Sequence, residues 1–193
     1  MADYDLQNVS GLREFQEALE QLPKNIARNV LRGAVAAGAK VMRDTAINLA
    51  PEYEPGPGEK FDDRVSPGRI KNSVYEKQIP ERSGDLVQVF YVGVRRGKKQ
   101  QIKVVKGRLV NLDAYYWTWV EFGHWYIPRT PKYGIKKGFA EASKANGTAI
   151  WVQPHPFMKP AFALARDASI DAMIAYFEKR IPNEAQKLGL VMK

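Results

Sequence analysis

The stretch Tyr115–His124 reads YYWTWVEFGH and holds two of the four tryptophans and two of the nine tyrosines of the chain. So much aromatic surface is buried either in a core or against a partner protein. A Glu-Phe-Gly-His corner ends the run. Residues 115–122 fit either an aromatic strand or a short helix, because periodicity alone does not distinguish the two in so short a run. We expect this stretch to combine core and contact residues.

Two helices are predicted upstream, within residues 11–50. Apolar residues in Leu12–Leu22 recur at three- and four-residue spacing, which indicates a short amphipathic helix. Pro23 breaks this run but is well tolerated in the first turn of a second, long helix, which extends to Ala50 and ends before Pro51. Its middle, Gly33–Ala39, is nearly all glycine and alanine, so we expect another element to approach its backbone closely.

Loops and short strands alternate after the long helix. Residues 51–68 hold four prolines and three glycines, a composition that predicts a long extended loop. A second loop-rich excursion covers Trp125–Gly147, with a helical turn at Phe139–Lys144. Content of β-branched and aromatic residues predicts strands in the following segments: Ile70–Ile79, Leu86–Val94, Ile102–Val105, Leu109–Val110 and Ala149–Val152.

A C-terminal helix is predicted over residues 157–181, where Pro182 stops it and a polar tail, 183–193, follows. The order of the predicted elements, with helices followed by strands and then by a final helix, indicates an α+β fold in one domain, residues 1–193. The long N-terminal helix and the C-terminal helix pack on an antiparallel sheet of about four or five strands within residues 70–152, since segregated elements favour this layering. Long Pro/Gly-rich and basic loops interrupt the sheet.

Composition restricts the class of protein. The 193 residues are 45% hydrophobic and 26% charged, which is ordinary for a soluble globular protein. The chain has no cysteine, which excludes disulfides, thiolate zinc sites and cysteine nucleophiles. The acidic, polar N-terminus lacks the pattern of a signal peptide. No apolar run approaches the roughly 20 residues that span a bilayer, so we expect a soluble protein without a membrane partner.

Positive charge is concentrated in one part of the chain. The formal net charge is +9. Seven cations fall in a stretch without an acidic residue, and we call this stretch the basic segment: Arg95, Arg96, Lys98, Lys99, Lys103, Lys106 and Arg108. Such a cluster favours contact with nucleic acid or with an acidic protein face. A solvated sheet edge that discourages aggregation is the alternative.

Patterns that carry catalysis or bind metal are weak. Glu121 and His124 share a face if their stretch is helical, but no further ligand accompanies them at metal-site spacing. Asp62 and Asp63 offer carboxylates for a metal-dependent nuclease, yet they lie in the Pro/Gly-rich loop, a poor platform for precise placement. His155 lies between two prolines in a rigid loop. The sequence also lacks serine-nucleophile and phosphate-loop motifs. We therefore predict no enzyme, no catalytic or metal site and no cofactor.

Four segments taken in order resemble one family. They are the N-terminal helix beginning GLREF, the long Ala-rich helix ending LAP, GRIKNSV at Gly68–Val74, and VEFGH at Val120–His124 combined with PHPFMKPA at Pro154–Ala161. This layout resembles the tail-component proteins, also called tail-completion or neck proteins, of long-tailed double-stranded DNA bacteriophages. In that family GxLKxSI, YAxxVEFGT and PxPFLxPA segments occur in this order. His124 replaces the usual threonine.

The resemblance implies a non-catalytic virion subunit of the neck, made in the host cytoplasm. It implies a homo-oligomeric ring, usually six-fold, between the head-closure (stopper) ring and the tail terminator or tail tube. The basic segment then faces channel DNA or an adjacent ring. The alternative within the same class is a tail terminator that caps the tail tube. The alternative of another class is a basic nucleic-acid-binding protein.

Contact residues for such a ring are predicted from the aromatic stretch and its surroundings. We assign Tyr116, Val120 and Phe122 to the core, with Gly123 turning the chain. The predicted subunit interface consists of aromatic residues, because these often anchor binding: Tyr115, Trp117, Trp119, His124, Trp125 and Phe157.

Overall fold

The computed structural model describes residues 12–20, 22–52, 68–96, 102–105, 108–111, 113–127 and 139–189. Within these ranges the helices are α1 (Leu12–Glu20), α2 (Lys24–Leu49), α3 (Arg69–Ser73), α4 (Trp117–Phe122), α5 (Phe139–Ala145) and α6 (Met158–Lys187). The strands are β1 (Val74–Gln78), β2 (Phe90–Val94), β3 (Ile102–Val105), β4 (Arg108–Asn111), β5 (His124–Tyr126) and β6 (Ile150–Val152). The mixed helix-and-sheet fold with long N-terminal and C-terminal helices is confirmed.

The described residues form two compact units. Unit 1 contains those of Met1–Thr45, Tyr75–Gly93 and Phe162–Lys193, and unit 2 contains those of Ala46–Val74 and Val94–Ala161. Helices α2 and α6 each contribute to both units, because their residues fall on either side of these boundaries. In the described ranges no helix is both long enough and apolar enough to span a membrane.

Unit 1 is held together by the packing of α1, α2 and α6. Its buried core consists of Leu19, Leu22, Ala27, Val30, Ala34, Phe177 and Ile181. The glycines of α2 make close contact between the helices possible: a Cβ at Gly38 would lie 2.8 Å from Ser169 Oγ and 2.9 Å from Met173 Cγ. A Cβ at Gly33 would collide with the ring of Tyr176. The expected close approach to the Gly/Ala-rich stretch is confirmed.

Helix α6 is longer than predicted, since it continues through Pro182 to Lys187. Proline inside a helix removes one backbone hydrogen bond and clashes with the preceding turn. Contacts on both sides offset this cost. Ile181 and Ala185 are both buried, and Glu184 pairs with Arg180 at 2.9 Å and with Lys187 at 3.2 Å. The prediction that Pro182 ends the helix was wrong because tertiary packing outweighs the local penalty.

The strands do not form the single sheet of four or five strands that the sequence predicts. In the described part of the chain they form three two-stranded sheets, β1–β2, β3–β4 and β5–β6. Hydrogen bonds within the loops make the strands shorter than predicted. Ser83 Oγ accepts from the Val89 amide at 3.1 Å and the Gly84 amide donates to the Val87 carbonyl at 2.7 Å. Residues 86–89 therefore lie outside the strand, and β2 begins only at Phe90.

The first predicted strand is also partly helical. Residues Arg69–Ser73 form α3, and the strand covers only Val74–Gln78. Ser73 Oγ donates to the Arg69 carbonyl at 2.6 Å, which closes this single helical turn. The predicted strands Ile102–Val105 and Leu109–Val110 do pair, as β3 with β4 in antiparallel register. Residues 53–67 of the predicted loop and 128–138 of the second excursion lie outside the described residues.

Candidate functional site

A buried carboxylate organises unit 2. Glu121, in α4, is only 4% exposed. Its Oε2 accepts hydrogen bonds from the amides of Phe157 (2.7 Å) and Met158 (3.0 Å), and its Oε1 accepts from the amide of Lys159 (3.0 Å). These amides belong to the start of α6, where backbone N–H groups lack partners inside the helix and favour negative charge. Glu121 thus caps α6 from a distant part of the sequence.

Glycine at position 123 allows the chain to turn directly after this cap. Gly123 has φ 74° and ψ 169°, a conformation that is essentially restricted to glycine. A Cβ there would lie 2.7 Å from Trp151 Cζ2 and 2.8 Å from the Val152 carbonyl oxygen. Nearby, the His155 amide donates to the Val120 carbonyl at 2.7 Å. The VEFG and PHPF segments are therefore joined by both backbone and side-chain hydrogen bonds.

The turn at Gly123 leads into β5, which pairs with β6 in an antiparallel sheet. We call this two-stranded sheet the hairpin. Three residue pairs face each other across it: His124 with Val152, Trp125 with Trp151, and Tyr126 with Ile150. Successive side chains in a strand point to opposite faces, so the middle pair lies on one face and the outer pairs on the other. His124 is half-buried and the other five side chains are exposed, with Trp125 at 44% and Ile150 at 55%. Both faces of the hairpin therefore present apolar groups to solvent.

Aromatic residues of α4 and of the segment just before it extend this apolar area. Trp119, 49% exposed, stacks on His124 with ring centroids 5.5 Å apart. Tyr115, also exposed, meets Trp119 edge-on at 5.9 Å. On the other face of the hairpin, Trp125 and Trp151 are 5.3 Å apart. We define the aromatic surface as Tyr115, Trp119, His124, Trp125, Tyr126, Ile150, Trp151 and Val152.

An aromatic surface of this kind is typical of protein–protein contacts. Monomeric soluble proteins rarely expose contiguous large apolar patches, and tryptophan and tyrosine are enriched where binding energy is concentrated. A two-stranded hairpin is also marginally stable when nothing packs against it. Lys144 lies 5.7 Å from the centroid of the Trp125 ring and adds a cation–π contact at the edge of the surface.

The structure places the six predicted interface residues in three different environments. Tyr115, Trp119, His124 and Trp125 are brought together in the aromatic surface, and Trp117 is half-buried. Phe157 is fully buried and belongs to the core of unit 2, so its side chain is not available to a second subunit.

The core assignment of Phe122 was wrong, since its side chain is 69% exposed. Residues 117–122 form a helix rather than a strand. In that helix Glu121, and not Phe122, occupies the buried position beside the start of α6. Tyr116 and Val120 are half-buried.

Sequence reasoning missed the role of Glu121, which it considered only as a metal ligand. One signal was present: the residues before α6 are His-Pro-Phe, none of which is a good helix cap, so its free amides need an acceptor from elsewhere. It also missed β5, and with it the contribution of Tyr126. The apolar strand IWV at 150–152 signals a partner strand, but does not say which one.

The basic segment is only partly within the described side chains. Arg95 and Arg96 are exposed at the end of β2. Lys103 lies in β3 and Arg108 in β4, for which the backbone alone is described, and Lys98, Lys99 and Lys106 lie outside the described residues. Asp62 and Asp63 also lie outside them. Among described residues no group of three or more acidic, histidine or cysteine side chains is placed to hold a metal ion. The DNA-facing role of the segment stays a prediction.

Comparison with known proteins identifies the family. A family described as "Bacteriophage HK97-gp10, putative tail-component" matches residues 13–123, which is more than half of the chain. The match includes GRIKNSV and VEFG, whereas PHPFMKPA lies beyond it. No curated protein and no solved structure matches the chain. The chain therefore belongs to the HK97-gp10-like family of tail components of tailed bacteriophages.

Proposed function

We propose that the protein is a structural, non-catalytic subunit of the phage neck. It forms a homo-oligomeric ring that joins the head-closure complex to the tail. The observation that carries this proposal is the aromatic surface of unit 2, which presents tryptophan and tyrosine side chains on both faces of the β5–β6 hairpin. Family membership supplies the context of the virion tail.

Exposed apolar groups on both faces of the hairpin suit a cyclic ring better than a dimer. In a cyclic assembly each subunit contacts a neighbour on either side, through two different surfaces. A hairpin that inserts between neighbouring elements buries both of its faces at once. Stable obligate interfaces commonly bury more than about 2,000 Å², and large aromatic side chains provide much of such an area.

The way in which the aromatic surface is joined to the rest of unit 2 also supports a role in a ring. The hairpin follows directly from Gly123, next to the Glu121 cap of α6. A hydrogen-bonded base of this kind fixes the direction in which the hairpin leaves the subunit. Fixed direction matters in a ring, because closure requires the same rotation between every pair of neighbours.

Negative-stain microscopy tests the proposal. We expect the purified chain, alone or mixed with the head-closure and tail-tube proteins of the same phage, to form closed rings, six-fold as is usual for such necks. A ring found only on the end of tail tubes favours the tail-terminator role, and a ring that also binds the head-closure complex favours tail completion. Monomers alone, in the presence of both partners, contradict the proposal.

A further inference from the structure

Unit 2 contains a second feature that the aromatic surface does not explain, a cleft of about 260 Å³. Its lining residues are Pro51, Glu52, Gly68, Arg69, Ile70, Tyr116, Val120 and His155. A drug-sized ligand occupies roughly 300 Å³ or more, so this cleft suits a single side chain.

Arg69 is the unusual residue of this cleft. Its Nε is buried and has no hydrogen-bond partner among the described residues. Its guanidinium lies 5.8 Å from the centroid of the Tyr116 ring, a cation–π contact that supplies no hydrogen-bond acceptor to Nε. A buried donor without an acceptor is costly, and such a group is expected to have a partner in the functional state.

The nearby carboxylate does not fill this role. Glu52 lines the same cleft, but its Oε2 accepts from Lys71 Nζ at 2.8 Å. By contrast, Arg43 in unit 1 shows the usual arrangement, with Nε donating to Asp44 at 2.8 Å and Nη1 donating to Glu76 at 2.7 Å. The Nε of Arg69 thus lacks an acceptor among the described residues, and a further anion would supply one.

We propose that the cleft around Arg69 accepts an acidic side chain from the neighbouring copy of this chain in the ring. This inference rests on the proposed ring and names a specific contact within it. A carboxylate accepts from a guanidinium in a charge-assisted, often bidentate geometry. The apolar walls formed by Pro51, Ile70 and Val120 suit the aliphatic stem of such a side chain.

Two observations favour a neighbouring copy as the source of the carboxylate. The ring of Tyr116, which lines the cleft, lies 5.5 Å from the ring of Tyr115 on the aromatic surface. The cleft therefore adjoins the aromatic surface, where the proposed ring places a neighbouring copy. Each copy also carries a net charge of +9, so neighbouring copies repel, and an arginine–carboxylate pair between them offsets part of that repulsion.

A DNA phosphate fits the cleft less well. Phosphates are usually held by exposed, hydrated cations, whereas the Nε of Arg69 is buried. Burial raises the pKa of the Tyr116 phenol, while the charge of Arg69 lowers this pKa and Tyr115 raises it further. The hydroxyl therefore stays protonated and can donate a hydrogen bond in the cleft.

The association constant of the chain for itself tests the inference. We expect Arg69→Met to weaken ring formation on the order of tenfold or more, as loss of a desolvated charge-assisted pair does. Arg69→Lys, which keeps the charge but not the planar fork, is expected to fall between Arg69→Met and the wild type. Arg28→Met is the matched control, since Arg28 forms an exposed 3.6 Å pair with Asp85 and lies in unit 1. Melting temperatures establish that all variants fold.

The outcomes separate the inference from the proposed function. If the wild type and Arg69→Met form rings equally well, the inference fails and the ring stands. If the wild type forms no ring, the proposed function fails and with it the neighbouring copy as occupant.

Titration with propionate or inorganic phosphate, followed on the Arg69 Nε–H NMR signal of the Trp119→Ala chain, then identifies the anion. A saturable shift with propionate, absent from the Arg43 signal, is expected. No shift, or a larger shift with phosphate, contradicts the inference.

Discussion

Glu121→Ala is expected to lower the free energy of unfolding by about 3 kcal/mol or more, because it removes a helix cap and leaves buried amides without an acceptor. Three amides at the start of α6 depend on this one carboxylate. The residue is 4% exposed, so water does not readily replace the lost bonds. Urea denaturation followed by far-ultraviolet circular dichroism measures the effect.

A conservative change and a surface control sharpen this prediction. Glu121→Gln keeps one carbonyl oxygen, which still accepts from two of the three amides, so its destabilisation is expected to be smaller than that of Glu121→Ala. Glu178→Ala removes an exposed carboxylate from α6 and is expected to change stability by less than about 0.5 kcal/mol. A Glu121→Ala variant as stable as Glu178→Ala is incompatible with the capping role.

Trp119→Ala is expected to weaken subunit association on the order of thirtyfold or more, the factor that corresponds to a hot-spot loss of about 2 kcal/mol. Trp119 is 49% exposed and lies between Tyr115 and His124 at the centre of the α4 part of the aromatic surface. Because half of the side chain already meets solvent, its removal is expected to affect the subunit's own stability much less. Sedimentation velocity across a concentration series measures the association constant.

The control for Trp119→Ala is Phe162→Ala. Phe162 is 58% exposed on α6 in unit 1, so its truncation removes a similar apolar side chain away from the aromatic surface. We expect ring formation by Phe162→Ala to match that of the wild type. If Trp119→Ala instead unfolds the subunit, Trp119 is a core residue and the interface lies elsewhere.

The long helices were predictable from sequence because their apolar residues repeat over many turns. The repeat placed α2 within a residue or two of its observed ends, and the Gly/Ala stretch correctly predicted a close neighbour, which proved to be α6. Pro182 misled the same reasoning, since a local penalty was weighed without the buried Ile181 and Ala185 on either side. Hydrophobic periodicity indicates which face of a helix is buried, whereas tertiary packing determines where the helix ends.

The site was harder to predict because it depends on contacts between distant segments. The cap formed by Glu121 joins residues 36 to 38 positions apart, and β5 pairs with β6 across a gap of more than twenty residues. Each partner looks ordinary alone: a glutamate in a short helix, and three-residue strands too short for a periodic signal. The aromatic composition of Tyr115–His124 indicated the region that carries the exposed aromatic side chains, but not the contribution of Trp151 or the burial of Phe157.

The most direct test of the interface uses the wild-type chain alone. All four tryptophans, Trp117, Trp119, Trp125 and Trp151, lie in unit 2, and three of them belong to the aromatic surface. Acrylamide quenching of their fluorescence is therefore measured at protein concentrations below and above ring formation. We predict that association reduces quenching and shifts the emission to shorter wavelength, because the neighbouring subunit covers these indoles. Rings whose tryptophans remain as accessible as in the monomer contradict the aromatic surface as the subunit interface.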